Sequence, residues 1–177
     1  MSGYDDFDSD RLREEARAAL RELVVDLRDL EEALRQFANQ AAFVDAFARR
    51  RNDAGAAKLV GELEWPLTSL VNQVNTVLSL SVVLGGLISF AQAGVMPHVY
   101  TALHDHGIIG RSRHSQLSRL NHVRNRLEHH YGTLTDGCEV HSAAALAVGV
   151  AGQFGHDYGD WLRKIGVLDR HPARHHP

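Results

Sequence analysis

Arg124, Asn125, His129 and Tyr131 stand at fixed spacing in the stretch Arg124-Asn125-Arg126-Leu127-Glu128-His129-His130-Tyr131, just ahead of Gly132. Arginine is a permanent cation whose fork of donors matches a phosphate, and histidine is the side chain that most readily moves protons near neutral pH. The pair suits cleavage of a phosphodiester: one group holds the phosphate while the other takes or gives a proton. Plainer roles exist for each residue. Arg124 could pair with a glutamate on a neighbouring helix of a bundle, His129 could be a surface histidine near a helix end, and Tyr131 an aromatic at the edge of the core.

The elements that must position these residues are helices. Nothing in the chain alternates apolar and polar as a strand does, and proline occurs only at Pro66, Pro97, Pro172 and Pro177. The predicted fold is all-α, an antiparallel helical bundle with a long N-terminal helical hairpin. Asp8, Ser9 and Asp10 can cap a helix opening at about Arg11. Its apolar positions run Ala16, Leu20, Leu23, Leu27, Leu30, Leu34, Phe37, Ala41, Val44, Ala48, a 4-3-4-3 spacing that predicts one helix about 60 Å long, ending near Arg49–Asp53. A second run, Leu59 to Ile88, pairs with it, and Pro66 is expected to kink that run or to begin a new segment at Trp65.

A shorter helix should follow Pro97, with a loop over 107–110. The helix bearing the Arg–His pair is expected over about His114–Tyr131, a turn at Thr135-Asp136-Gly137, and a last helix over roughly Glu139–Ile165. That last helix holds Gly149, Gly152, Gly155 and Gly159, each costing about 1 kcal/mol relative to alanine, so a close neighbouring helix is expected there. One domain over residues 1–168 and a tail without fixed structure from 169 complete the expected organisation.

On a helical wheel of about 100° per residue, Leu117, Leu120, Leu127 and Tyr131 form one apolar stripe that also contains Arg124. Ser118, His122, Asn125 and His129 form a separate polar stripe. An arginine within an apolar stripe needs a partner. A single regular helix does not point Arg124 and His129 the same way. They share a site if the helix distorts near Gly132 or if two copies of it meet across a dimer interface.

Composition narrows the function. The 177 residues carry a net charge of −3, which argues against a general nucleic-acid coat. Residues 1–35 hold eleven acids against six arginines, whereas residues 98–131 hold five arginines, two acids and seven of the twelve histidines. A local basic, histidine-rich surface could hold a short single strand. The longest apolar run, 77–95, is broken by Ser79, Ser81, Ser89 and Gln92, so no membrane partner is expected. A single cysteine, Cys138, rules out an internal disulfide. With an acidic N-terminus in place of a signal peptide, it fits a cytoplasmic protein. A metal is not expected: His122 and His129 lie about 10 Å apart along a helix, and His104-Asp105-His106 lacks clear further ligands.

Arg124, Asn125, His129 and Tyr131 together read Arg-Asn-x-x-x-His-x-Tyr, which resembles the signature of the HEPN superfamily and most of all its HepT-like branch. The placement, in a helix late in an all-α bundle, is similar as well, and the match covers roughly residues 110–166. The resemblance implies a metal- and cofactor-independent endoribonuclease, the toxin of a toxin–antitoxin pair, working as a homodimer on RNA. It makes His129 the general base or acid, Arg124 the phosphate holder and Asn125 an orienting residue, with Ser118, His122 and His130 as auxiliary polar groups. It implies a nucleotidyltransferase antitoxin that silences the toxin by AMPylating Tyr131. His130 is a second candidate for the histidine, and His129 is preferred because Tyr131 lies two residues beyond it. The alternatives are an inactive RNA- or nucleotide-binding module of the same fold, or a purely structural helical interaction protein.

Overall fold

The computed structural model describes residues 8–38, 54–129 and 137–169, with residues 38, 54–60 and 137–138 described by backbone alone. The fold is all-α, and no strand occurs among the described residues. The helices are α1 (Ser9–Ala38), α2 (Ala54–Leu84), α3 (Phe90–Ala93), α4 (Met96–Asp105), α5 (Arg111–His129), α6 (Gly137–Gly152) and α7 (Phe154–Lys164). Ala41, Val44, Ala48, the expected end of α1, the turn at 135–136, and His130 and Tyr131 lie outside the described residues.

Helix α1 opens two residues earlier than expected. Asp8 is its cap, its Oδ1 accepting from the Arg11 amide at 3.1 Å and its carbonyl from Leu12 at 3.0 Å. Ala16, Leu23, Leu30 and Phe37 are buried, as the heptad spacing predicts, while Leu20, Leu27 and Leu34 are only partly buried. The deeper alternating positions are Leu12, Ala19 and Asp26. The buried face is wider than a two-position seam because α1 packs on both α2 and α6. Asp26 is 7% exposed, and its Oδ2 accepts from the Ser69 hydroxyl of α2 at 2.8 Å, a polar pin through the hairpin.

Helix α2 is the hub, packing against α1, α3, α4, α5 and α6. It passes through Pro66 as a single helix, so no new segment begins at Trp65. Its stretch 61–84 is long and apolar enough to cross a membrane by length and composition, and half of that stretch is buried inside the bundle. The buried half packs against five neighbouring helices, which calls for apolar side chains there. It ends at Gly86 (φ +66°), where Gly86 and Leu87 donate back to Val83 and Val82 at 2.9 Å, a left-handed cap that glycine adopts without strain.

Helix α4 carries Pro97 in its first turn and closes the same way at Gly107 (φ +69°), with Ile108 bonded to Leu103 at 2.9 Å. This turn aims α5 back across α2. The expected single last helix is two helices, α6 and α7, parted at Gln153. A Cβ placed on Gly149, Gly152 or Gly155 would meet nothing within 4 Å, and one on Gly159 would touch only the Arg163 side chain of its own helix. These glycines do not admit a neighbouring helix; they weaken the helix where it breaks. The close approach is at Gly85, where a Cβ would lie 3.2 Å from the Ser81 carbonyl oxygen and 3.4 Å from the Trp161 ring. The end of α7 is held by α1, Arg17 donating to the carbonyls of Val167 (2.9 Å) and Gly166 (3.0 Å).

Candidate active site

Two polar stripes face each other where α2 and α5 cross. On α2, Asn72, Asn75, Thr76 and Ser79 recur at helical spacing. On α5 the matching set is Asn121, Arg124, Asn125 and Glu128. Asn75 Nδ2 donates to Asn121 Oδ1 at 3.1 Å, and the Tyr100 hydroxyl of α4 donates to Asn75 Oδ1 at 2.6 Å, so three helices are tied by one buried polar chain. Burial raises the Tyr100 phenol above its ordinary range. The nearby Tyr158 adds to the rise, while the charge of Arg124 and the bond to Asn75 oppose it.

One turn along, Arg124 Nε donates to Asn72 Oδ1 at 2.7 Å and lies 3.0 Å from Glu128 Oε1. Asn72 Nδ2 donates to Glu128 Oε1 at 3.2 Å, closing a triangle, and Arg124 Nη1 donates to Asn125 Oδ1 at 2.8 Å. A glutamate therefore pairs with Arg124, but it is Glu128 of the same helix; the neighbouring helix supplies Asn72 instead. Of the donors a guanidinium carries, both on Nη2 have no partner among the described residues. The side chain is 26% exposed and lines a groove of about 450 Å³ together with Asn72, Asn75, Thr76, Phe90 and Met96.

The structure brings Arg124 and Asn125 together. It does not bring His129 to them: His129 is exposed at the last position of α5. Because α5 is one regular helix through both residues, they diverge by about 140° around its axis and are about 7.5 Å apart along it. Ser118 and His122 are exposed. Leu117 and Leu120 are buried and Leu127 packs on the core, so Arg124 sits at the border of the apolar face. Asn72 and Glu128 escaped the sequence reading. A signal existed for Asn72: a polar residue repeated three, four and seven positions on, along one face of a helix rich in leucine and valine.

Arg126 bonds both carboxylate oxygens of Glu139 on α6 at 2.7 and 2.9 Å. Arg113 pairs with Asp157 and also donates to Gln116 and Gln153 beside a second concavity of about 400 Å³, so that opening offers no unpaired cation. Among the described residues, no three His, Cys, Asp or Glu side chains lie together as a metal ion needs. His104 stands edge-on to the His114 ring at 5.7 Å with only Asp105 added, at 3.2 Å. Compared with protein-family models, with curated proteins and with solved structures, the chain matches none of them.

Proposed function

We propose that the protein is a metal-independent endoribonuclease of the HEPN type whose active site forms between two copies of α5. The observation that supports this most is Arg124. Its guanidinium is braced by Asn72 and Glu128 on one edge, while the donors of the other edge have no partner among the described residues and the side chain lines a groove. A preorganised cation with spare donors is what a transferring phosphoryl group requires. Asn125 adds a second brace at Nη1.

The chemistry needs one proton acceptor and one donor. A base takes the proton of the RNA 2′-hydroxyl, and the 2′-oxygen bonds to the adjacent phosphorus. The bond from phosphorus to the 5′-oxygen breaks, and an acid protonates that leaving oxygen. The products are a 2′,3′-cyclic phosphate and a free 5′-hydroxyl, with atoms and charge balanced and no metal consumed. His129 of one copy serves as base and that of its partner as acid. The divergence of Arg124 and His129 on one helix favours a site in which the arginine of one copy meets a histidine of the other. Tyr131, two residues beyond, is the proposed AMPylation position for a partner nucleotidyltransferase, since a bulky anion there would repel RNA phosphates.

The test is incubation of purified protein with RNA in EDTA. Cleavage that leaves cyclic phosphate ends and disappears in Arg124→Ala and in His129→Ala is the expected result. Loss of cleavage in EDTA, or full activity in either variant, refutes the reading. A second reading, an interaction or binding protein without catalysis, is favoured by the carboxylate of Glu128 at 3.0 Å, which offsets part of the Arg124 charge. It predicts that Arg124→Ala lowers stability and that the wild type cleaves nothing.

A further inference from the structure

We infer that the exposed face of α5 is a track for the RNA strand leading away from the cleaved bond, so the substrate is a single strand extending several nucleotides to one side of it. This rests on the ribonuclease reading for what happens at Arg124 and His129, and it adds where the rest of the strand lies. Residues 106–127 contain no Asp or Glu. Within α5, Arg111, Ser115, Ser118, Arg119 and His122 are exposed, and at 100° per residue they share an arc of about 100°. The same side of the helix runs on to His129, about 27 Å from Arg111 along the axis. Every one of these side chains can donate a hydrogen bond, and none is an anion.

The cations of this face are available. Arg111 has no partner among the described residues, and Arg119 spends one Nη2 donor on the Ser142 hydroxyl at 3.1 Å. The carboxylates bonded to α5 each engage a different arginine: Glu128 with Arg124, Glu139 with Arg126, Asp157 with Arg113. Beside the face, the exposed positions of α6 are Ser142, Ala145, Gly149 and Gly152, and a Cβ on either glycine would meet nothing within 4 Å. A sugar–phosphate backbone can come down on the helix there without meeting a carboxylate or a bulky side chain. Arg111 and Arg119 lie about 12 Å apart along the axis with neutral donors between them, which suits a repeating anion better than a compact one. One row, one helix wide, grips one backbone; duplex RNA is held across its minor groove, for which this row has no second bank. The two copies meet over the last two turns of α5, Arg124 to His129, and the track is the three turns before them. From Arg124 back to Arg111 is about 20 Å, roughly six nucleotides at about 3.4 Å each, and fewer if the strand is stretched.

The experiment uses full-length protein and 2′-O-methyl RNA oligonucleotides, which cannot be cleaved, with fluorescence anisotropy at a series of salt concentrations. Affinity should climb with length over about two to ten nucleotides and level off near roughly six, the length of the track. The double variant Arg111→Gln/Arg119→Gln should weaken binding of the longest strand about fivefold per arginine at about 0.1 M salt. It should also flatten the slope of log K against log salt by about 0.7 per arginine, the value for one phosphate contact to a single strand. Both side chains are exposed, and Ser118→Glu, another exposed position, places an acid in mid-track and should weaken binding as well. The control, Arg21→Gln/Arg28→Gln, removes the same charge from the exposed face of α1 and should leave the slope unchanged. An unchanged slope in the α5 double variant, or an equal change in the α1 pair, overturns the track, whether or not the protein cleaves RNA. Tighter binding of a duplex than of the single strand also overturns it. Length-dependent binding that the α5 variant weakens, in a wild type that cleaves nothing, supports the track and removes the ribonuclease reading.

Discussion

Asn72→Ala probes the brace on Arg124 most directly. The substitution deletes a 2.7 Å bond from the guanidinium and a 3.2 Å bond to Glu128, and it leaves every sequence-recognised residue in place. A hydrogen bond to a charged group contributes about 1.5 to 3 kcal/mol when desolvated. Arg124 is 26% exposed, so water recovers part of that. A loss of about 1 to 2 kcal/mol in positioning corresponds to a fall in kcat/KM of about 5- to 30-fold.

The fall should lie in kcat as much as in KM, because a guanidinium free to rotate still attracts RNA but no longer meets the charge developing in the transition state. Ser69→Ala, one turn away on the same helix, is the control. It strips the buried Asp26 of its 2.8 Å bond and should lower the melting temperature without changing kcat/KM. The assay is cleavage of a short fluorogenic RNA in EDTA beside thermal unfolding of each variant. If Asn72→Ala keeps kcat/KM within about twofold of wild type while Arg124→Ala abolishes it, Asn72 positions nothing and the reasoning fails. If Ser69→Ala loses activity equally, the effect is one of stability alone.

Mixing equal amounts of wild-type and His129→Ala protein tests the composite site: with a histidine needed from each copy, randomly exchanged dimers should keep roughly a quarter of the activity of the same total of wild type, whereas a site built within one copy keeps about half. The two buried tyrosines give a stability prediction. Their phenols are raised by burial, partly opposed at Tyr158 by Arg113. Folded tyrosines thus keep protons that unfolded ones release above pH about 10, so stability should hold below that pH and fall above it, as denaturant titrations across pH would report. Tyr158→Phe should be neutral or stabilising near pH 7, since its buried hydroxyl has no hydrogen-bond partner among the described residues. Tyr100→Phe should cost about 1 to 3 kcal/mol, because Asn75 Oδ1 is left without its 2.6 Å donor.

What the sequence made legible follows from what kind of signal each feature leaves. The hairpin was readable because Ala16, Leu23, Leu30 and Phe37 repeat at a period that only a packed helix explains. The third buried position, with Leu12, Ala19 and Asp26, was not, because Asp26 reads as solvent-facing until Ser69 is seen opposite it. The break at Gln153 was hidden because glycines have two structural meanings, close packing and weak helix, and only the open space beside Gly149 and Gly152 decides. Arg124 as a misfit on an apolar stripe was visible on the wheel. Its partners were not: Asn72 is far away in the chain, and Glu128 was passed over as a residue between two motif positions. The divergence of Arg124 and His129 depends on helix geometry alone, and a regular α5 through both residues keeps it.

Glu128 separates the catalytic from the structural reading. If the ion pair exists to join α2 to α5, Glu128→Gln should cost stability and do nothing for RNA. If it exists to orient a phosphate-binding arginine, its charge is a disadvantage tolerated for the sake of geometry, and the two can be parted. Glutamine keeps an acceptor for Arg124 Nε and for Asn72 Nδ2 while removing the negative charge. A phosphate on the Nη2 edge would lie about 6 Å from that charge, where repulsion at an effective dielectric near 60 is about 1 kcal/mol. Glu128→Gln should then lower KM for RNA about three- to sixfold with kcat little changed, and the gain should shrink as salt rises towards 1 M, where the screening length is about 3 Å. A KM that rises, or that is indifferent to salt while the melting temperature drops, would leave the α2–α5 tie as the purpose of Arg124.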